Sequence, residues 1–309
     1  MMSETSPNII AWVMLFVLAM IWGSSFILMK LAMFDSGGGE LFRWDQVAAI
    51  RLSAAGLVLL PIALRTLRST PKVALFWMAM VGFLGNGIPA YLFTGAETQI
   101  DSGLAGILNA LTPFFTVVVG VVLFRSKVKW IQVVGMVIGF LGAVGLVFQG
   151  ELPASVSWLF SGMCIVATAL YGVSVNIMHH QLRANKAIRI SSVALFTAGV
   201  PSAIYLFTTD FTTRLETHPE ALAGFGFACI LGVIGTAVAL IIFNRLIQNT
   251  SGIFASSVAY VAPIIAFAWG LLYKESLGWG HLFFGLIILS GVYLIRQPGA
   301  KAASKVPAK

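Results

Sequence analysis

The chain has 309 residues, of which 59% are hydrophobic and 10% charged, with a mean hydropathy of +0.94. Soluble domains carry roughly 25% charged residues, so the composition excludes an ordinary water-soluble enzyme or binding domain and points to a chain that lives in lipid. Apolar runs cover most of the length and leave no connecting segment large enough for a second, soluble domain.

Ten apolar segments follow one another at 9–30, 46–64, 73–95, 102–124, 130–148, 157–178, 190–209, 221–244, 252–273 and 279–295. Most approach or exceed the ~20 residues that carry a helix across a hydrocarbon core. Helices are expected because an unclosed strand in lipid leaves backbone groups unpaired. The first segment lacks a basic leader and a small-residue cleavage site, so it reads as a retained helix and not as a signal peptide.

The formal charge of +8 raises the question of nucleic acid, but its distribution along the chain answers it. Fourteen of the 19 basic residues, among them Arg65, Arg68, Lys72, Arg125, Lys127, Lys129, Arg183, Lys186 and Arg189, fall at segment ends on one side. Ten of the 11 acids, from Asp35 to Glu275, fall on the other. The basic bias is a topology signal that puts both termini in the cytoplasm of a multi-pass inner-membrane protein. The expected partners are therefore the lipid bilayer, with some attraction to anionic headgroups, and a small-molecule substrate, with no nucleic acid.

Cys164 and Cys229 lie inside apolar segments with no Cys-x-x-Cys pattern, and packing is their expected role. His179, His180, His218 and His281 are scattered, and neither a His-Glu-x-x-His helix nor a Gly-x-Ser-x-Gly elbow is present. No metal, cofactor or catalytic set is expected, and the chain does not read as an enzyme.

A repeat organises the ten segments. Superposing Pro113 on Pro263 brings Gly120 onto Gly270 and Gly135 onto Gly285, and with one gap Asp101–Gly103 meets Thr250–Gly252. At an offset of 149, "LYGVSVNIMH" (Leu170–His179) lies under "IWGSSFILMK" (Ile21–Lys30). Two halves, 1–150 and 151–309, each contain five segments. Five is odd, so the second half must enter the membrane upside down. The expected fold is all-α and integral to the membrane, ten transmembrane helices arranged as two inverted-topology five-helix repeats. The charges agree: "FRSKVKW" after the fourth segment is basic, and its copy "YKESLGW" after the ninth is mixed.

"IWGSSFILMK", the paired Pro-x₆-Gly in segments four and nine, and "YKES" before a glycine-bearing last segment resemble the EamA-like transporters of the drug/metabolite transporter superfamily. The resemblance covers essentially the whole chain. It implies two inverted five-helix repeats that move small metabolites, often amino acids or toxic compounds, most often outward. The acid that the family carries after the proline helix is present as Glu275, whereas its first-half counterpart here is Arg125.

Proline lacks an amide donor and clashes with the carbonyl four residues back, so Pro113 and Pro263 are expected to kink segments four and nine near mid-membrane. Paired interruptions of this kind are the sequence pointer to a transporter site. A second pair lies in "LGNGIPAY" of segment three, with Asn86 and Tyr91 at its end, and "LGVIGTAV" of segment eight. Trp22, Ser25 and Phe26 on segment one, Tyr171 and Ser174 on segment six, Asn109 before Pro113, and Ser256 and Tyr260 before Pro263 complete the candidate substrate-binding set. Together with the resemblance they place a cavity among segments 1, 3, 4, 6, 8 and 9.

Arg51 lies six residues into segment two, where it either snorkels outward to pair with Asp45 or another loop acid, the expected role, or meets substrate. Gly135-x₃-Gly139 in segment five supports either a homodimer or close packing within one chain. The function expected is that of an alternating-access secondary transporter exporting amino acids or related small organic compounds. A non-transporting membrane receptor or scaffold is the alternative.

Overall fold

The computed structural model describes residues 7–100, 105, 108–147, 158–262, 264, 265 and 279–295. In chain order the helices are α1 (Ile9–Met33), α2 (Trp44–Ser69), α3 (Lys72–Ala96), α4 (Thr112–Phe124), α5 (Trp130–Val147), α6 (Trp158–Gln181), α7 (Ala187–Leu206), α8 (Ala221–Asn249), α9 (Gly252–Ala262) and α10 (Trp279–Ile295). Six of them, α1, α2, α3, α6, α7 and α8, are long and apolar enough to cross a membrane, and the other four are shorter apolar helices. A short helix at Phe211–Thr217 lies in the α7–α8 connection.

Several helices are interrupted, each for a local reason. α1 breaks at Ser24, whose hydroxyl turns back on the Met20 carbonyl at 2.7 Å. α3 and α8 each widen into one π-turn, at Phe83–Gly87 and Val233–Val238, which superpose at an offset of 150. The extra residue in a π-turn loosens the carbonyl ladder, and in both helices a polar side chain takes up the carbonyl five positions back. Asn86 Nδ2 donates to the Val81 carbonyl at 3.4 Å, and its repeat counterpart Thr236 Oγ1 donates to the Leu231 carbonyl at 3.1 Å.

The expected kink at Pro113 takes a different form. The segment read as 102–124 is not one bent helix: Leu108 and Asn109 are helical, Ala110 and Leu111 form a turn, and Pro113 sits in the first turn of α4. There its missing N–H costs nothing, because first-turn amides have no intrahelical partner. Pro263, the Asp101–Gly103 match, Gly270 and Glu275 lie outside the described residues.

Packing follows the repeat. α2 crosses α7, α5 packs on α10, α1 lies against α8 and α3 against α6, so the first and third helices of each half exchange partners with the other half. Between helices in lipid there is little hydrophobic drive, and close van der Waals approach takes its place. Glycines supply that approach. A Cβ on Gly56 would stand 2.8 Å from the Leu195 carbonyl oxygen, and one on Gly199 would stand 2.7 Å from that of Leu52. The stripe beginning Gly135-x₃-Gly139 faces α10 within the same chain, where a Cβ on Gly291 would meet Gly139 N at 2.5 Å. Internal packing therefore uses the stripe that left a homodimer open.

At the end of the bundle where α2 begins, the acids are tied into the connections. Arg43 forms an ion pair with Asp45 at 3.0 Å, and Tyr205 donates to the same carboxylate at 2.5 Å. Gln46 reaches Asp210 at 2.7 Å, and the hydrogen bond from Arg214, also 2.7 Å, holds the Asp210 carboxyl below the usual carboxylate range. Ser36 donates to Glu220, which links the α1–α2 loop to the start of α8. That loop turns at Gly38, whose φ of +83° favours glycine.

Gly56→Ala and Gly199→Ala are expected to destabilise the bundle by about 1–3 kcal/mol through overpacking. Gly162→Ala and Gly226→Ala, where nothing stands within 4 Å of the added carbon, are expected to leave stability unchanged or slightly raised by helix propensity. Thermal unfolding of the four purified variants in one detergent distinguishes the two pairs.

Candidate functional site

The π-turns of α3 and α8 face α6 and α1, and a cavity of about 140 Å³ opens between them. Small residues bring the walls together in the same way on both sides. A Cβ on Gly235 would stand 3.2 Å from Ser25 Oγ, and one on Gly85 would collide with Ser174 Oγ. Ser25 and Ser174 are themselves repeat counterparts at an offset of 149.

The aromatic lining obeys the same relation. The rings of Trp22 and Phe243 meet edge to face with centroids 5.2 Å apart, and those of Tyr171 and Phe93 stack at 5.9 Å. Trp22 corresponds to Tyr171 and Phe93 to Phe243. The Trp22 indole N–H donates to the Gly235 carbonyl at 3.1 Å, which ties α1 to the π-turn of α8. The cavity thus has two aromatic walls, each made by one half's first helix and the other half's third.

Charge breaks this symmetry. Arg51 from α2 and Glu97, which caps α3, both line the cavity. Their positional counterparts in the second half, by the α2–α7 glycine match and by the offset of 150, are Ala194 and Ile247. Arg51 Nε donates to Thr236 Oγ1 at 2.7 Å, so the polar residue of the α8 π-turn also holds the guanidinium. The pairing of Arg51 with Asp45 is not made. Asp45 is taken by Arg43 and Tyr205, and Arg51 points inward toward α8.

Of the residues expected from the sequence, Trp22, Ser25, Asn86, Asn109, Tyr171, Ser174 and Ser256 line the cavity. Three others are placed elsewhere. Tyr91 donates to Ser202 Oγ on α7 at 3.1 Å and packs edge to face on Tyr205. Pro113 is buried in the first turn of α4. Tyr260 is fully buried against Gly139, with its hydroxyl on the Met136 carbonyl at 3.2 Å, so it locks α9 to α5. Tyr91 and Tyr260 are polar at membrane depth and a neighbouring helix satisfies that polarity, whereas Pro113, expected as a mid-helix kink, starts a helix. Pro263 lies outside the described residues, and so does the side chain of Phe26.

Arg51, Glu97, Phe93, Phe243, Thr236 and Asn244 line the cavity without having been expected there as a set. The repeat carried a signal for three of them: Thr236 superposes on Asn86, and Phe93 and Phe243 superpose on each other. For Arg51 and Glu97 the relation gives no signal, because neither has a charged counterpart.

The model of the EamA-like transporter family matches the chain twice, over residues 9–148 and 158–297. An Escherichia coli K12 protein described as the uncharacterized inner membrane transporter YedA is 27% identical over 301 residues, covering 91% of this chain and 90% of its own. An S-adenosylmethionine/S-adenosylhomocysteine transporter from Chlamydia trachomatis serovar L2 is 28% identical over 298 residues, covering 91% and 88%. A solved crystal structure with 13% identity aligns over 93% of this chain and 96% of its own with a TM-score of 0.70, a likeness of fold.

Tyr260→Ala is expected to lower stability by about 3–5 kcal/mol, the range for emptying a buried aromatic site. Tyr260→Phe should cost about 1 kcal/mol for the lost hydrogen bond. Unfolding midpoints and folded yield in detergent check both; a Tyr260→Ala protein as stable as the parent would contradict the buried role.

Proposed function

Because the chain belongs to the EamA-like transporter family, we propose that it is an alternating-access secondary transporter of the inner membrane that exports amino acids or related small organic compounds. Its two halves, 1–150 and 151–309, act as five-helix repeats of inverted topology, and both termini face the cytoplasm. The observation that carries this reading is the central cavity walled by repeat-related pairs, Trp22 with Phe243 and Tyr171 with Phe93.

Each wall joins the first helix of one half to the third helix of the other. When one half rocks against its partner, one wall opens as the other closes, with little change inside either half. Matching serine and glycine contacts at Ser25–Gly235 and Ser174–Gly85 give the two walls similar packing, which favours two states of comparable energy. Aromatic faces with small polar groups between them suit an amphiphilic metabolite better than a bare ion, whose hydration shell needs many oxygen ligands. The name of the Chlamydia relative supports the class, since S-adenosylmethionine and S-adenosylhomocysteine are amino-acid derivatives.

Proteoliposomes loaded with amino acids, nucleobases, sugars and small cations, read by mass spectrometry against empty vesicles, test the proposal. Selective loss of amino acids or related compounds is expected. Trp22→Ala and Asn109→Ala should slow it by roughly tenfold or more with folded yield near that of the parent. Full activity in both variants would contradict the assigned cavity.

A further inference from the structure

Among the described residues, Arg51 is held at one point. Its Nε donates to Thr236 Oγ1 at 2.7 Å, and among the described residues no other hydrogen bond and no ion pair within 4 Å uses the guanidinium. Arginine carries five N–H donors in a planar fork, so both Nη groups are left to the cavity that the residue lines. A permanent cation inside a membrane bundle is costly unless something balances it.

Glu97 lines the same cavity, but among the described residues it makes no hydrogen bond or ion pair with Arg51. Its side chain is only 9% exposed, and both carboxyl oxygens are shut off from solvent without a hydrogen bond. Arg51 on α2 and Tyr171 on α6 line the same cavity, whereas Lys30 on α1 is exposed outside that lining. No ion pair within 4 Å joins Glu97 to either cation among the described residues. Among the described residues, the Arg51 fork in the cavity therefore has no carboxylate partner.

We propose that Arg51 is a carboxylate subsite, so that the compound bound in the cavity carries a free carboxylate on the two Nη groups. The proposal rests on the transporter reading and narrows its substrate class. A carboxylate matches the guanidinium fork with two parallel hydrogen bonds, a geometry that a lysine point charge does not offer. Thr236 is the positioning residue: its hydroxyl accepts from Nε while donating to the Leu231 carbonyl in the α8 π-turn, which fixes the plane of the fork. Tyr171 and Phe93 stack beside it and present an apolar surface to the remainder of the substrate. The α8 π-turn thereby couples substrate charge to a helix that packs against the other half.

The test uses the full chain in vesicles of phosphatidylethanolamine and phosphatidylglycerol, with L-methionine, L-phenylalanine and S-adenosylmethionine as probes. Each is paired with a counterpart lacking the carboxylate: methioninamide, phenylalaninamide and decarboxylated S-adenosylmethionine. The wild type is expected to favour at least one carboxylate over its partner by roughly tenfold or more. Arg51→Gln should abolish that preference, and Arg51→Lys should restore part of it. Thr236→Val should raise KM for the carboxylates several-fold more than for their counterparts, a readout available even where Arg51→Gln does not fold. Transport with no carboxylate preference, a preference that survives Arg51→Gln, or stronger competition by phosphate esters than by carboxylates would overturn the subsite and leave the transporter reading intact. No movement of any probe by folded wild type would overturn both.

Discussion

Backbone groups in a hydrocarbon core have no water to bond with, so every departure from the α-helical ladder must be satisfied inside the protein. This chain departs from it at matching places in its two halves, in the π-turns Phe83–Gly87 and Val233–Val238. Asn86 and Thr236 meet the loosened carbonyls, and the Trp22 indole takes the Gly235 carbonyl between them. π-turns recur at functional sites because the extra residue displaces the wall of a helix without ending it. Here the displaced stretches line the central cavity.

Close approach does the rest. Gly56 with Gly199, and Gly139 with Gly291, let helices of opposite halves touch backbone to backbone. Beside these two crossings, α1 packs with α8 and α3 with α6, and those four helices supply the aromatic walls of the cavity. The glycines that hold the halves together and the glycines at 85 and 235 that shape the cavity belong to one packing scheme. The two walls are thus made from equivalent parts, which is what the proposed alternating access requires. Arg51 and Glu97, which also line the cavity, are the parts without an equivalent in the other half.

The sequence made much of this legible through repetition. Apolar segments located the helices because lipid imposes a length and forbids unpaired backbone, and the offsets of 149 and 150 paired Trp22 with Tyr171, Ser25 with Ser174 and Asn86 with Thr236. Repetition failed where position within a helix decided the role. Pro113 looked like a mid-helix kink, but a turn at Ala110–Leu111 made it a helix start. Tyr260 and Tyr91 looked like lining because they are polar and deep, yet Met136 and Ser202 on neighbouring helices accept their hydroxyls. Which neighbour stands opposite a tyrosine is a tertiary fact that period and spacing do not carry. Arg51 was the converse case: nothing in its local sequence told that Asp45 would be claimed by Arg43 and Tyr205.

The central claim is that one cavity between repeat-related walls opens to each side in turn, and side-specific labelling of a cavity position tests it most directly. With Cys164 and Cys229 replaced by alanine, Ser174→Cys would be treated in oriented vesicles with a membrane-impermeant maleimide from one side or the other. The account predicts modification from both sides, each slowed when an impermeant ligand holds the opposite state. Modification from one side only, with the protein folded and the vesicles sealed, would contradict it.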